Sequence, residues 1–135
     1  MARAAAALAF VLLVSASASA HQKSISYSKW TLLDDGAVAQ VRVRWLELTS
    51  VPDAVGADLS VLDRARVYAY LQERLVLYAD ELACSPRPGS EMWLPSESGW
   101  VRIEWRVDCP GAATRLQSRL FSSLSNHVHL STIFR

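Results

Sequence analysis

The alternation of apolar and polar residues is the clearest pattern in this 135-residue chain. In residues 99–109, GWVRIEWRVDC, apolar residues from Val101 onward alternate with Arg, Glu and Asp. Residues 37–45, AVAQVRVRW, repeat the pattern, and the DDG before them predicts a hairpin turn. Because successive strand side chains point to opposite faces, both segments predict strands with one buried face. The phase of the pattern places Trp45 and Trp105 in the core.

Weaker alternation predicts the remaining strands. Residues 25–32, ISYSKWTL, predict the strand before the hairpin, and the slip in phase between Tyr27 and Trp30 predicts a bulge or a sheet edge. Residues 75–84 predict two short strands about a turn at Asp80–Glu81. Further short strands are predicted at residues 91–94, 116–121 and 127–134.

One segment has the period of a helix instead. In residues 60–75, SVLDRARVYAYLQERL, the apolar residues fall along one helical stripe. Ser60 and Asp63 predict the N-terminal cap, and Arg74 suits the negative end of the helix dipole. We therefore predict a mostly β fold, an immunoglobulin-like antiparallel β-sandwich of about seven strands with one inserted α-helix around residues 60–75.

Residues 1–20, MARAAAALAFVLLVSASASA, have the layout of a secretory signal peptide. Arg3 precedes an apolar run, and a segment of small residues follows. The run is shorter than the roughly 20 residues that span a bilayer, although an uncleaved anchor is the alternative. We predict cleavage between Ala20 and His21. Residues 21–135 then form a single β-sandwich domain, exported to the periplasm or another extracytoplasmic space.

Charge and cysteine content narrow the possible functions. Removal of Arg3 lowers the 14 Lys and Arg residues to 13, which equals the 13 Asp and Glu residues. Nucleic-acid binding depends on excess positive charge, so this balance argues against a nucleic-acid partner. The two cysteines, Cys84 and Cys109, predict a disulfide in an exported protein. Free thiols or a thiolate metal pair are the alternatives.

The three histidines are the candidate metal ligands. In NHVHLSTIFR, His127 and His129 are two residues apart, so on a strand they share one face, opposite Val128 and Leu130. Cleavage after Ala20 makes His21 the N-terminal residue, whose amine and imidazole could join them on one Ni, Cu or Zn ion. The alternative is a surface strand with two imidazoles and no metal, since a site needs a third ligand within reach.

Catalytic chemistry has less support in the sequence. Serines are numerous, but no G-x-S-x-G motif is present. The adjacent Asp34 and Asp35 suit a turn better than an acid–base pair. Trp93 and Trp100 flank a turn-rich segment and are candidates for a ligand platform, although isolated exposed aromatic residues are common. A small secreted hydrolase is therefore the least favoured function.

The order of these features resembles the N-terminal exported domain of the HupE/UreJ-like family of hydrogenase and urease accessory membrane proteins. The resemblance lies in the Ala–His junction of SAHQKSISYSKW, the strand pair after it, the Cys84/Cys109 pair with Cys109–Pro110, and the terminal NHVHLSTI. It implies an extracytoplasmic, non-enzymatic accessory role, with optional capture of a metal by His21, His127 and His129.

In that family the exported domain precedes a membrane domain linked to uptake of nickel or a similar metal. This sequence contains no such helices before Arg135. The resemblance therefore implies either a separate membrane protein as partner or a C-terminal membrane domain beyond this sequence. A structural or protein-interaction module that binds no metal is the alternative function.

Overall fold

The computed structural model describes residues 23–56 and 62–135. The predicted signal peptide, the cleavage site Ala20–His21 and the predicted cap residue Ser60 lie outside this part of the chain. The elements are, in chain order, β1 (Ser24–Leu33), β2 (Gly36–Arg44), α1 (Trp45–Thr49), a 3₁₀ turn (Pro52–Ala54), α2 (Arg64–Arg74), β3 (Leu75–Ala79), β4 (Leu82–Ala83), β5 (Ser85–Pro86), β6 (Met92–Leu94), β7 (Trp100–Asp108), β8 (Arg115–Ser118) and β9 (His127–Phe134).

The strands form two sheets. The larger sheet has the order β5–β7–β2–β1–β9, and β6 also pairs with β7. The smaller sheet has the order β4–β3–β8. β1 and β9 run parallel, whereas the other strand pairs in the described residues are antiparallel. The prediction of a mostly β fold with a helix inserted around residues 60–75 is confirmed, whereas the short helix α1 and the parallel pairing of β1 with β9 were not predicted.

The β1–β2 hairpin confirms the turn predicted at DDG. β1 ends at Leu33 and β2 begins at Gly36, which packs directly against β7. A Cβ atom at Gly36 would lie 2.0 Å from the carbonyl oxygen of Val107, so this position has no room for a side chain. The bulge or edge predicted between Tyr27 and Trp30 is wrong. β1 is an interior strand whose register with β2 is unbroken from Tyr27 to Leu33.

The inserted helix α2 closes one side of the core. It begins after Asp63, whose carboxylate accepts a hydrogen bond from the Arg66 backbone N–H at 3.1 Å. Val67, Tyr70 and Leu71 are its buried residues. They belong to a single hydrophobic core that also includes residues of both sheets, so the described residues share one core.

Trp30 and Trp105 occupy the centre of this core. Their rings meet edge to face with centroids 6.2 Å apart. Trp105 is buried as its phase predicts, but the prediction for Trp45 is wrong. β2 ends at Arg44 and the helix α1 begins at Trp45, so the strand alternation no longer sets the direction of this side chain. Trp45 is 40% exposed.

The disulfide Cys84–Cys109 is present and confirms the predicted pairing. It joins the segment after β4, in the smaller sheet, to the end of β7 in the larger sheet. The bridge closes a loop of 25 residues, which stabilises the fold by about 3 kcal/mol in the chain-entropy model. Neither range of described residues contains a helix with the length and hydrophobicity needed to cross a membrane.

Candidate functional site

The two histidines of β9 meet a row of serines on β1. Because these strands pair in parallel, Ser24 lies beside His127 and Ser26 beside His129, and Ser28 lies beside Ser131. All six residues are two positions apart along their strands, so their side chains share one face of the sheet. We call this row of six residues the serine–histidine ladder.

Hydrogen bonds connect the ladder from end to end. The Ser24 hydroxyl lies 2.5 Å from His127 Nδ1, and the Ser26 hydroxyl lies 2.9 Å from His127 Nε2. The same Ser26 oxygen lies 2.6 Å from Nδ1 of the second imidazole, His129. Ser28 Oγ lies 2.9 Å from His129 Nε2 and 2.9 Å from Ser131 Oγ. Every ring nitrogen of both histidines therefore has a serine hydroxyl as its partner.

Two orders of hydrogen positions satisfy the whole ladder. In one arrangement, each serine hydroxyl donates to the next group toward the C-terminal end of β9, and each neutral imidazole accepts at Nδ1 and donates from Nε2. In the other arrangement, the hydroxyls donate in the opposite direction, and each neutral imidazole donates from Nδ1 and accepts at Nε2. Trp30 Nε1 donates to Ser28 Oγ at 3.0 Å in both orders, and Ser28 retains one proton to donate. The ladder is fully bonded with both imidazoles neutral.

The environment favours these neutral imidazoles. Ser26 and Ser28 are buried, with 0% and 4% exposure, and the Phe121 ring packs against His127 with centroids 4.7 Å apart. Burial lowers the pKa of His127 below its ordinary value of 6.5. Burial and, secondarily, the neighbouring His127 lower the pKa of His129 to about 4. Burial away from water disfavours a charged imidazole. The ladder provides neutral hydroxyls as partners, and these stabilise a positive charge less than a carboxylate would.

The histidines of β9 face the core, unlike the imidazoles of the surface strand considered from the sequence. His127 and His129 are half-buried and point toward the core side of the sheet. The apolar residues between them point outward, where Val128 is 39% and Leu130 50% exposed. The imidazole face and the apolar face predicted from the alternation both exist, but they are inverted with respect to solvent. Pairing with serines on β1 makes this inversion possible, because it satisfies the polar groups inside.

The metal prediction is only partly within the described residues. His127 and His129 share one face, as predicted, but His21 lies outside this part of the chain. In residues 23–56 and 62–135, no group of three or more His, Cys, Asp or Glu residues has a metal-binding arrangement. A metal at the two imidazoles would have to replace at least two of the serine hydrogen bonds.

Catalysis at the ladder is limited by access. The hydroxyls of Ser26 and Ser28 adjoin imidazole nitrogens, as a nucleophile and a base do, but both serines are buried. Ser24 is half-buried and lies between His127 and Glu47. Burial raises the pKa of Glu47, while the Ser24 hydroxyl opposes that effect. The orienting carboxylate of a triad is missing from His127 in the described residues, since its Nε2 faces Ser26.

An apolar strip covers the outer side of the same two strands. Its members are exposed aromatic and aliphatic residues of β1 and β9: Tyr27, Val128, Leu130 and Phe134. Among the described strands, β9 is at the edge of the larger sheet, so this outer strip lies beside a strand edge. The alternation of the sequence predicted that Val128 and Leu130 share a face opposite the histidines, but it did not predict that this face is exposed.

The two candidate tryptophans of the ligand platform lie beside arginines. Trp93 has the Arg64 guanidinium over its ring, 5.0 Å from the centroid. Trp100 has two, from Arg42 at 4.1 Å and Arg44 at 5.0 Å. Trp93 is half-buried on the core side of the larger sheet, opposite Ile103, whereas Trp100 is half-buried on the outer side, opposite Arg44. The sequence identified the aromatic residues but not the arginines that cover them.

No protein-family model and no curated protein matches this chain. The disulfide is the feature with the clearest bearing on location, since such bonds persist mainly in oxidising compartments. It indicates an extracytoplasmic environment.

Proposed function

We propose that this protein is an exported, non-enzymatic accessory domain that binds a membrane protein, as in the HupE/UreJ-like family that its sequence resembles. The contact surface is the outer strip of β1 and β9. Three features support the proposal: the signal-like N-terminal segment, the disulfide, and the apolar residues exposed on the edge strand.

The observation that carries the proposal is the inverted edge strand. A strand with two histidines and several apolar residues would ordinarily bury the apolar side. Here the ladder occupies the inner side, and Val128, Leu130 and Phe134 remain 39–50% exposed on the outer side. Exposed apolar patches beside a free strand edge are typical of protein-interaction sites and are an aggregation risk if they stay uncovered. A partner that covers this strip accounts for the arrangement.

The ladder favours an accessory function that does not depend on a bound metal ion. Each imidazole nitrogen already has a hydroxyl partner, and burial holds the rings neutral without an ion. Capture of Ni, Cu or Zn by His21, His127 and His129 remains a prediction. It is tested by calorimetry on protein whose N-terminus is His21, compared with a His127→Ala/His129→Ala double variant. Equal heats for both proteins exclude His127 and His129 as ligands, and the absence of heat in both excludes all three histidines.

The docking surface is tested by site-specific photocrosslinking. A photoreactive residue replaces Leu130 of the outer strip, and the matched control replaces Leu82, which is 62% exposed on the smaller sheet. Membranes of the source cells are irradiated with each variant, and adducts are identified by mass spectrometry. We expect an integral membrane protein bound at position 130 only, and loss of that adduct when Val128→Asp is added.

Two outcomes contradict the proposal. Equal adducts at positions 130 and 82 show that the strip has no special role. Adducts at position 130 that contain only a second copy of this chain show that the strip is a homodimer interface. N-terminal sequencing of the protein recovered from cells tests export separately, with His21 as the expected first residue.

A further inference from the structure

A groove of about 420 Å³ lies on the outer face of the larger sheet, beside the outer strip. Four strands contribute to it, β1, β2, β7 and β9. Its lining residues are Tyr27, Ser28, Lys29, Gln40, Val41, Arg42, Arg102, Leu130 and Thr132. Pockets of this volume are common at sites that hold a side chain or small ligand. The groove joins the apolar part of the strip to a polar part on β2 and β7.

The polar part of the groove is cationic. The lining contains three basic residues, Lys29, Arg42 and Arg102, and no acidic residue. Arg42 and Arg102 occupy directly opposite positions on β2 and β7. Like charges in that arrangement repel each other and destabilise the strand pair. The exposed Glu97 carboxylate interacts with both guanidinium groups and relieves part of this repulsion, and a ligand carboxylate between them would relieve more.

Among the described residues, neither guanidinium has a short hydrogen-bond partner on the outer face. Arg42 Nη2 donates to the Glu97 carboxylate at 3.3 Å, and Glu97 is mostly exposed. Arg102 Nη1 donates to the Pro95 carbonyl oxygen, also at 3.3 Å. Charge-assisted bonds of this type are normally about 2.7–2.9 Å long. Both arginines therefore retain capacity for a better acceptor, and Glu97 shows that a carboxylate can approach Arg42.

Aromatic rings hold one of these arginines in place. The Arg42 guanidinium lies 4.1 Å from the centroid of Trp100 and 5.9 Å from that of Tyr27. The two rings are themselves 6.0 Å apart. Stacking fixes the planar group before a ligand arrives, which lowers the entropy lost on binding. Arginine, tryptophan and tyrosine are also the residues most enriched at the energetic centres of protein interfaces.

We propose that this groove binds an acidic side chain of an extended segment of the partner protein. The segment's Asp or Glu carboxylate lies between Arg42 and Arg102, and an adjacent apolar side chain packs on Tyr27 and Leu130. The inference rests on the proposed function, since it assigns the chemistry of the partner at the outer strip. The groove selects a peptide carrying a carboxylate next to apolar residues.

The test uses two short end-capped peptides, one of alternating leucine and glutamate and one of alternating leucine and glutamine. Binding of the labelled peptides to the oxidised protein is followed by fluorescence anisotropy at low and high salt. We expect the glutamate peptide to bind at least about tenfold more tightly than the glutamine peptide, with the difference reduced by salt. Arg42→Gln and Arg102→Gln should each remove most of that preference.

Two further variants distinguish peptide binding at the groove from general effects of a substitution on the protein. Arg115→Gln is the matched control, because Arg115 also stacks on an aromatic ring, Tyr78 at 4.0 Å, but lies in the smaller sheet. It should leave binding unchanged. Glu97→Gln removes the carboxylate that competes for Arg42, so it should tighten binding severalfold. The gain should be confined to the glutamate peptide, whereas apolar surface exposed by misfolding would bind both leucine-containing peptides.

Equal binding of both peptides, or equal loss with the Arg115 variant, overturns the proposal. So does binding to anionic lipid vesicles that depends on Arg42 and Arg102 when neither peptide binds. If the peptides fail while crosslinking at Leu130 still captures a membrane protein, the acidic chemistry is wrong and the docking surface stands. If both experiments fail, the proposed function is wrong as well.

Discussion

Acidification should destabilise this fold through His129, because the folded chain holds that imidazole in its neutral form. Its pKa is about 4 in the fold, against an ordinary value of 6.5 that applies to the unfolded chain. The stabilisation is fully present above pH 6.5 and is lost as the pH falls toward 4. At about 1.4 kcal/mol per pH unit, the difference corresponds to about 3 kcal/mol. Since the ring is only half-buried, we expect a loss of about 1–3 kcal/mol.

The hydrogen-bond pattern explains why a second proton costs more than the first. With one imidazolium, the flanking hydroxyls can still accept both of its N–H groups. With both His127 and His129 charged, Ser26 must accept from two rings, and its own hydroxyl proton has no acceptor within the ladder. The two charges also repel each other across this single oxygen. We therefore expect the two histidines to contribute unequally to the loss of folding stability below pH 6.5.

The assay is urea unfolding of the oxidised protein between pH 7 and pH 4, compared with His129→Gln. A glutamine amide can hydrogen-bond to Ser26 and Ser28 without titrating, so the variant keeps the contacts and removes the charge. The wild-type protein should lose about 1–3 kcal/mol more than the variant over this range. Carboxylates titrate in both proteins and cancel in the comparison. Parallel pH profiles for the two proteins would refute the reasoning.

Two further predictions concern the scaffold. Reduction of the Cys84–Cys109 bond should lower the free energy of unfolding by about 3 kcal/mol, measured by urea unfolding with and without reductant; an unchanged midpoint contradicts this. Gly36→Ala should cost about 2–3 kcal/mol, because the new methyl group meets the Val107 carbonyl oxygen, whereas Gly111→Ala, with nothing within 4 Å, should cost little. Equal thermal unfolding temperatures for these two variants contradict the second prediction.

Alternation in the sequence predicted the strands that have one apolar and one charged face. Residues 99–109 are the clearest case, because Arg and Glu side chains cannot be buried without partners and so mark the outer face. The turn at Asp34–Asp35, the helix after Asp63 and the disulfide were predictable for similar reasons, since each depends on local chemistry or on a single pairing.

β1 and β9 were misread because serine and histidine are polar residues that can be buried when paired. In SISYSKW the aromatic residues Tyr27 and Trp30 lie on opposite faces, Tyr27 exposed and Trp30 buried, so the apparent slip in phase is not a bulge. The decisive contact joins residues about one hundred positions apart through a parallel pairing that no local pattern specifies. A usable signal was nonetheless present. S-x-S-x-S and H-x-H-x-S are matching polar alternations, and each satisfies the other's hydrogen bonds.

This pairing also explains why the exposed apolar strip and the ladder occur on the same strand. A slip of one residue between β1 and β9 would turn His127 and His129 outward and bury Val128 and Leu130 against the serines of β1. The buried serines would then lose their imidazole partners, at about 1–3 kcal/mol for each unsatisfied hydroxyl. The ladder thus fixes the register of an edge strand, where register is otherwise weakly specified. By holding its histidines inside, it holds the apolar residues outside, on the face that we propose as the docking surface.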